Sequence, residues 1–481
     1  MGLTPDARGR RQAPRNQPVL QRQRMTGRAL LTSPATALAL VWAIAGCAAP
    51  RAADPSLHPP PVPSVKAFPT ADGWAATTPG GRGGVILRVT TLAPNGPGSL
   101  GEALQVDAPR IVVFEVGGVI DLGRSVLDVE APYLTVAGQT APSPGITLIR
   151  GGIRIATHDV VIQHLRVRPG EAGAAKRSGW ETDGIGTVTG AHDVIIDHCS
   201  TTWATDENLS ASGERFAGTN PDQWRESTSH RITISDCLIA EGLSHATHRK
   251  GEHSKGTLIH DNVTDVAVIR NLYASNVERS PMFKGGARGI VVNNYIANPG
   301  HTAIRYVLVD HEWGALPRQV GQMAIVGNVL HYGADTRPGL PLLTVDGGGS
   351  CEVFLDDNVA LDTHGATIPP VLGKLADVIP VVRRPLWPAG FVPMRAADVE
   401  AHMMREVGAR PWDRDPIDVR IIAQALGGKG RVIDSEEQAG GYPASVETRQ
   451  AFEPARWDLA TMMPVQPAAP ARLTQMDART P

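Results

Sequence analysis

The sequence predicts an all-β chain wound as a right-handed parallel β-helix, a solenoid with an N-terminal capping helix and short C-terminal helices. Two observations carry that prediction. A strand motif, apolar-x-apolar-x-(Asn/His/Asp)-apolar, recurs through the middle of the chain at irregular spacing. A constant motif with variable intervals is what coils of fixed core and variable loops produce. Glycine (51) and proline (39) are also abundant among the 481 residues, which favours many turns and short strands over long helices.

The chain opens on a targeting segment, residues 1–47. Arg22, Arg24 and Arg28 precede an apolar run from Ala35 to Ile44, too short to span a bilayer and suited to a signal h-region. The run ends in Ile44-Ala45-Gly46-Cys47, which resembles a bacterial lipobox and makes Cys47 the expected lipidation site. Export across the inner membrane follows, with a lipid anchor at the cell surface or in the periplasm. Residues 48–66, rich in Ala and Pro, read as an extended linker.

Residues 67–395 are the expected β-helix catalytic domain. Ser99 and Glu102 form a capping box that opens a short helix, suited to the end-cap a solenoid needs. The strand copies follow. They are Val160-Val161-Ile162-Gln163-His164-Leu165, Val194-Ile195-Ile196-Asp197-His198-Cys199 and Ile232-Thr233-Ile234-Ser235-Asp236-Cys237, then segments centred on Asn271, Asn294, Asn328 and Asn358. The polar turn residue is placed to stack on its equivalent about 4.8 Å away in the next coil. His164 and His198 are read as such turn-stack residues. A β-sandwich would need hairpin signals every 8–12 residues or so; Asp72-Gly73, Asn95-Gly96, Asp183-Gly184 and Asp346-Gly347 do not have that spacing.

Residues 396–455 form a helical extension. One helix runs from Ala397 to Val407 and stops at Gly408. A second opens with Asp415 as N-cap and Pro416 at N1, and stops at Gly427, with Ile417, Ile421, Ala425 and Leu426 on one face. Residues 456–481 read as a tail. After Cys47, three cysteines remain, an odd number that leaves one bridge or free buried thiols open.

Charges nearly cancel, 46 Lys+Arg against 48 Asp+Glu, so no nucleic-acid partner is expected, and a monomer is. The densest polar cluster lies between Asp183 and Lys284. In a solenoid, residues one coil apart are neighbours in space, which lets Asp183 share a face with Asp206 and Glu207. Several oxygen ligands without thiolates suit Ca²⁺. His245, His248, His253 and His260 have no regular helical pairing and sit in a Gly-containing loop, so zinc is not expected. Lys250, Lys255, Arg279 and Lys284 place cations close to the carboxylates in the chain, an arrangement suited to an acidic polymer bridged by a metal.

These residues resemble the pectate lyase family over nearly all of residues 67–443. Gly80-Gly81-Arg82-Gly83-Gly84, Val116-Gly117-Gly118-Val119-Ile120, Ala137-Gly138-Gln139-Thr140 and Leu165-Arg166-Val167-Arg168-Pro169-Gly170 follow in the family's order. Ile196-Asp197-His198-Cys199-Ser200 with Trp203 and Asp206-Glu207-Asn208 is the most specific piece. The resemblance implies Ca²⁺-assisted β-elimination in polygalacturonate, the acidic polysaccharide of pectin. Asp183 matches the first metal ligand, and Asp206 or Glu207 a later one. Lys255 matches the substrate-carboxylate lysine, with Lys250 as its rival, Lys284 is a further basic position, and Arg279 matches the base. Met282 stands where the family often has an arginine, and Gly101 where another is usual. Two other readings remain at this point: a polygalacturonase-type hydrolase using Asp206 and Glu207, and a lipid-anchored carbohydrate-binding β-helix without catalysis.

Overall fold

The computed structural model describes residues 65–369, 371–373, 377–444 and 446–465. Cys47, the signal segment, most of the linker and residues 466–481 lie outside the described residues.

Among the described residues the chain winds through three sheets of eleven, nine and ten strands, parallel throughout except for one short strand at the edge of the third. One coil shows the path. His158–Gln163 lies in sheet 1, Leu165–Arg168 in sheet 3 and Ile185–Thr187 in sheet 2; His192–Asp197 then returns to sheet 1 beside the strand where the coil began. The motif strands are therefore consecutive rungs of sheet 1. Alternation sends Val160, Ile162, Val194, Ile196, Ile232 and Ile234 into one continuous core inside the coils.

The turn from sheet 1 to sheet 3 needs one residue in the left-handed conformation. His164, His198, Asp236, Arg270, Asn293, Gly327 and Asp357 supply it. The residue after it faces the neighbouring coil, and there Asn271, Asn294, Asn328 and Asn358 form a ladder. Each amide oxygen accepts from the backbone N–H of the residue one coil earlier, at 2.9–3.0 Å. The repeat read from sequence thus merges two columns, because Asp236 is the counterpart of Arg270, not of Asn271. Cys199 and Cys237 occupy the ladder position in the earlier coils, buried and free. The rings of His164 and His198 are neighbours, 5.0 Å between centroids, but tilted by 30° and not stacked. Their side-chain bonds run to Ala409 O (2.7 Å) and to Asp197 (2.8 Å), not to one another.

The outer faces of two sheets are covered. On sheet 1, Phe68 and Ala71 cover Val161 and Ile195, Phe391 with Trp387 covers Ile290 and Val292, and Phe452 with Met462 covers Ile111 and Val113. On sheet 3, helices Ala396–Glu406 and Pro416–Leu426 lay Val399, Met403, Ile421 and Ala425 on Leu238, Leu272 and Tyr295. Asp415 caps the second helix as expected, accepting from Asp418 N at 2.9 Å. Beneath it Arg168 donates to Asp415 (2.6 Å) and Asp418 (2.8 Å), with Arg168 and Asp418 fully buried.

The tail boundary needs correcting. Thr448–Arg449 pairs antiparallel with the first sheet 3 strand, and Trp457–Asp458 pairs with Met463–Pro464. Burial of Phe452 and Met462 holds this segment on sheet 1. At the other end Ser99 caps the helix Leu100–Leu104 through Glu102 N (3.1 Å). No helix among the described residues is long and apolar enough to cross a membrane.

Candidate active site

The outer face of sheet 2 is the uncovered one, and it carries the polar cluster. Register explains how residues distant in sequence meet there. Ile185 pairs with Leu209, which sets Asp183 beside Glu207; Glu207 pairs with Lys255, and Lys255 bridges to Glu278. A row of charged groups thus crosses consecutive coils, with Arg279 at its end. Beside it lies a cavity of about 500 Å³ lined by Asp183, Asp206, Glu207, Lys250, Arg279 and Lys284 among others.

Asp183, Asp206 and Glu207 each offer a carboxylate oxygen, and these oxygens lie within 4.8 Å of one another. Asp183 accepts from Glu207 N at 3.0 Å and from the Ser210 hydroxyl. Burial, reinforced by the charge of Asp206, pushes its carboxyl up to about 7. Burial also works to raise Asp206, but the hydrogen bond and charge of His253 outweigh it and hold that carboxyl below its ordinary value. This crowd of oxygens in a partly desolvated setting fits a hard dication such as Ca²⁺.

His253 Nε2 lies 2.6 Å from Asp206 Oδ1, and His248 stacks on His253 at 3.7 Å between ring centroids. The Lys250 amide donates to His248 Nδ1 at 3.1 Å, so the ring proton sits on Nε2, which faces Asp206 at 3.7 Å. His248, His253 and Asp206 form a second group of potential metal ligands whose ligand atoms lie within 4.8 Å of one another. Sequence reasoning set both histidines aside, and their spacing carried no signal, because the contact is made by a loop folding back over the coil.

Arg279 has a left-handed backbone, φ 68°. Its guanidinium forms an ion pair with Glu207, and its buried Nε has no partner among the described residues. Burial pulls its pKa down to about 10 against the opposing pull of Asp206 and Asp183, with Arg305 adding to the fall. The other cations are also paired. Lys255 lies 3.0 Å from Glu278, Arg305 lies 2.9 Å from Asp346, and Lys284 contacts Glu312 with Asp261 at 3.5 Å. Lys250 is exposed on the cavity rim with no carboxylate within 4.0 Å among the described residues. Asp183, Asp206, Glu207, Lys250, Arg279 and Lys284 line this cavity, whereas Lys255 starts a floor strand but is turned to Glu278 and is not part of the lining.

No family model matches the chain. Curated relatives do. The probable pectate lyase C of Emericella nidulans is 37% identical over 388 residues, covering 79% of this chain and 80% of that protein. The counterpart from Neosartorya fischeri is 30% identical, over 79% of this chain and 82% of its own length. Among solved structures, a pectate lyase bound to hexasaccharide aligns with 71% of this chain and 97% of its own at 15% identity, with a TM-score of 0.48.

Proposed function

This chain belongs to the pectate lyase family of polysaccharide lyases, and on that footing we propose that it cleaves polygalacturonate by β-elimination, with Arg279 as base and Asp183, Asp206 and Glu207 holding Ca²⁺. The observation that carries this reading is the meeting, in one cavity, of three converging carboxylates and a buried guanidinium whose pKa is drawn down to about 10.

When bound, Ca²⁺ would neutralise the substrate carboxylate and acidify the proton on the adjacent carbon. The chain's own residues do the rest. Lys250, on the rim, meets the polymer's carboxylates, while Lys255 and Lys284, held by Glu278 and Glu312, would have to exchange these partners to do the same. Arg279 takes the proton from the carbon next to the carboxylate. The released pair forms the ring double bond, and the glycosidic C–O bond breaks with its electrons leaving on oxygen. An arginine ordinarily stays protonated; burial and the nearby Arg305 favour its neutral form. Glu207 is claimed twice, by Arg279 and by the cation set, which ties the base to the state of the metal ligands.

The test is digestion of polygalacturonate read by ultraviolet absorbance of unsaturated ends. Product should form with Ca²⁺, stop with EDTA, return on Ca²⁺ addition, and form faster as pH rises. Full activity in chelator would remove the metal from the reading; reducing ends without unsaturation would indicate a hydrolase, and retention of the polymer without turnover a binding protein. The lipobox-like Ile44-Ala45-Gly46-Cys47 supports a membrane tether. Stable anchoring needs more than one acyl chain. Full-length protein should sediment with membranes and Cys47→Ala should not; equal fractionation of the two would discard the anchor.

A further inference from the structure

The turn between sheets 1 and 3, away from the cavity on sheet 2, carries a further group of ligating side chains. One ring nitrogen of His164, one of His198 and one carboxylate oxygen of Asp197 lie within 4.8 Å of one another. Register gathers them. Ile162 pairs with Ile196 and Gln163 with Asp197, so the two histidines that follow stand on adjacent coils, both with left-handed backbone. Their ring centroids are 5.0 Å apart.

Each ring is already held by one of its nitrogens. His164 Nδ1 lies 2.7 Å from Ala409 O, and the Ala409 amide donates to the Ser200 hydroxyl at 2.9 Å. A carbonyl only accepts, so the His164 proton sits on Nδ1 and Nε2 keeps its lone pair. His198 Nδ1 donates to Asp197 at 2.8 Å. Asp197 also accepts from Gln163 Nε2 at 3.0 Å and from the Ser235 hydroxyl at 2.6 Å, which fixes its position. Neither Nε2 has a hydrogen-bond partner among the described residues. An imidazole fixed through one N–H by a carbonyl or a carboxylate, with its other nitrogen unpartnered, is the arrangement of a metal ligand. Burial lowers the His164 pKa to about 3, which keeps that ring neutral. Burial also works to lower His198, but Asp197 outweighs it and lifts that ring to about 9, so a metal on Nε2 takes the place of a proton.

The same column of turn residues is closed one coil further on, where Asp236 is taken by Arg270 at 3.0 Å and His402 at 2.6 Å. His164 instead meets the ring of Trp412, 5.0 Å between centroids, on the loop that joins the two C-terminal helices. We infer that His164 and His198 form a binding site for a divalent transition metal such as Zn²⁺, with Asp197 and Ala409 O orienting the two rings. Imidazole nitrogens suit zinc, at about 2.0–2.1 Å each, whereas Ca²⁺ takes oxygen ligands. A bound ion would tie two successive coils together beneath the loop at Ala409. The inference is independent of the lyase reading, because the site lies on another face of the coil.

The test is equilibrium dialysis of the protein against Zn²⁺ in saturating Ca²⁺, with retained zinc counted by atomic spectroscopy. His164→Gln and His198→Gln should each retain about one ion per chain fewer than wild type, since a site built on two imidazoles fails when either is lost. His253→Gln measures separately any zinc taken by the His248–His253 group at the cavity. Circular dichroism identifies the corner variants that fold. Loss of the ion in each folded corner variant supports the site, and a folded one that retains as much zinc as wild type overturns it. If neither folds, anomalous scattering at the zinc edge from wild-type crystals decides: a peak between the His164 and His198 rings supports the site, and no peak there overturns it.

Discussion

Sheets 2 and 3 are built from the same short parallel rungs, yet their outer faces do opposite things. On sheet 3 the arginines beneath the C-terminal helices are buried against carboxylates. Arg168 reaches Asp415 and Asp418, Arg166 lies 3.4 Å from Asp418, and the Ser200 hydroxyl donates to Asp418 at 2.7 Å. On sheet 2 three carboxylates crowd together, and one of them, Glu207, is also the ion-pair partner of Arg279. The coil core behind both faces is continuous. A solenoid spreads its stability over many neighbour contacts, so one face can carry frustrated chemistry while another locks the fold.

The largest expected effect tests the locked face. Asp418→Ala removes a buried carboxylate that contacts Arg168, Arg166 and Ser200 together and leaves both arginines with Asp415 alone among the described residues. Two buried guanidinium groups are left short of a counter-charge, a loss of about 3–5 kcal/mol. The urea unfolding midpoint should fall sharply and the C-terminal helices should become sensitive to protease. A midpoint close to wild type would mean that the cover on sheet 3 is dispensable.

Arg279→Ala probes the open face and should separate the two. Turnover should fall at least about a hundredfold, the lower bound for loss of a general base. In saturating Ca²⁺ the unfolding midpoint should stay near wild type. Equal damage to both faces' stability would break the division of labour, and near-normal turnover would move the base elsewhere.

The turn ladder, between sheets 1 and 3, belongs to neither outer face. Asn294 accepts from Asn271 N and Nδ2, each at 2.9 Å, and donates to Val268 O at 3.0 Å. Asn294→Ala strands buried amides and should lower stability by about 1–3 kcal/mol. The loss should appear equally with and without Ca²⁺, since the ladder lies away from the cavity.

The contrast also shows what a sequence discloses. The alternating motif marked the sheet 1 strands because burial of every second side chain is a local property. The helices at 396–406 and 416–426 were legible from Asp415, Pro416, Gly408 and Gly427, again local signals. Asp183, Asp206 and Glu207 could be gathered because the coil period is itself written in the chain. Three features were not legible. The merged columns at Asp236 and Asn271 differ by one residue, and only the backbone conformation tells which one turns. His253 meets Asp206 through a loop whose course no periodicity encodes. The pairing at 457–464 depends on anchors, Phe452 and Met462, that look like tail residues until sheet 1 is in place beneath them.

The smallest expected effect concerns the pH response of the open face. Burial, with the charge of Asp206, raises the Asp183 carboxyl in the fold from its ordinary value of 3.8 to about 7. A raised acid holds its proton longer when folded than when unfolded. Its contribution to stability therefore becomes less favourable as pH rises from about 4 through 7, and stays so above. Metal binding requires the carboxylate, so Ca²⁺ affinity should climb with pH by up to about tenfold per unit, 1.4 kcal/mol, while this proton is being lost. It should level off above about 7. Calorimetric Ca²⁺ titrations on either side of that value, paired with unfolding midpoints in EDTA, measure both halves. Asp183→Asn should flatten the unfolding trend and weaken Ca²⁺ binding at every pH, whereas the Asn294→Ala ladder variant should keep the wild-type slope. A Ca²⁺ affinity that ignores pH across this range would remove Asp183 from the ligand set and leave the crowding on sheet 2 to be explained by Asp206 and Glu207 alone.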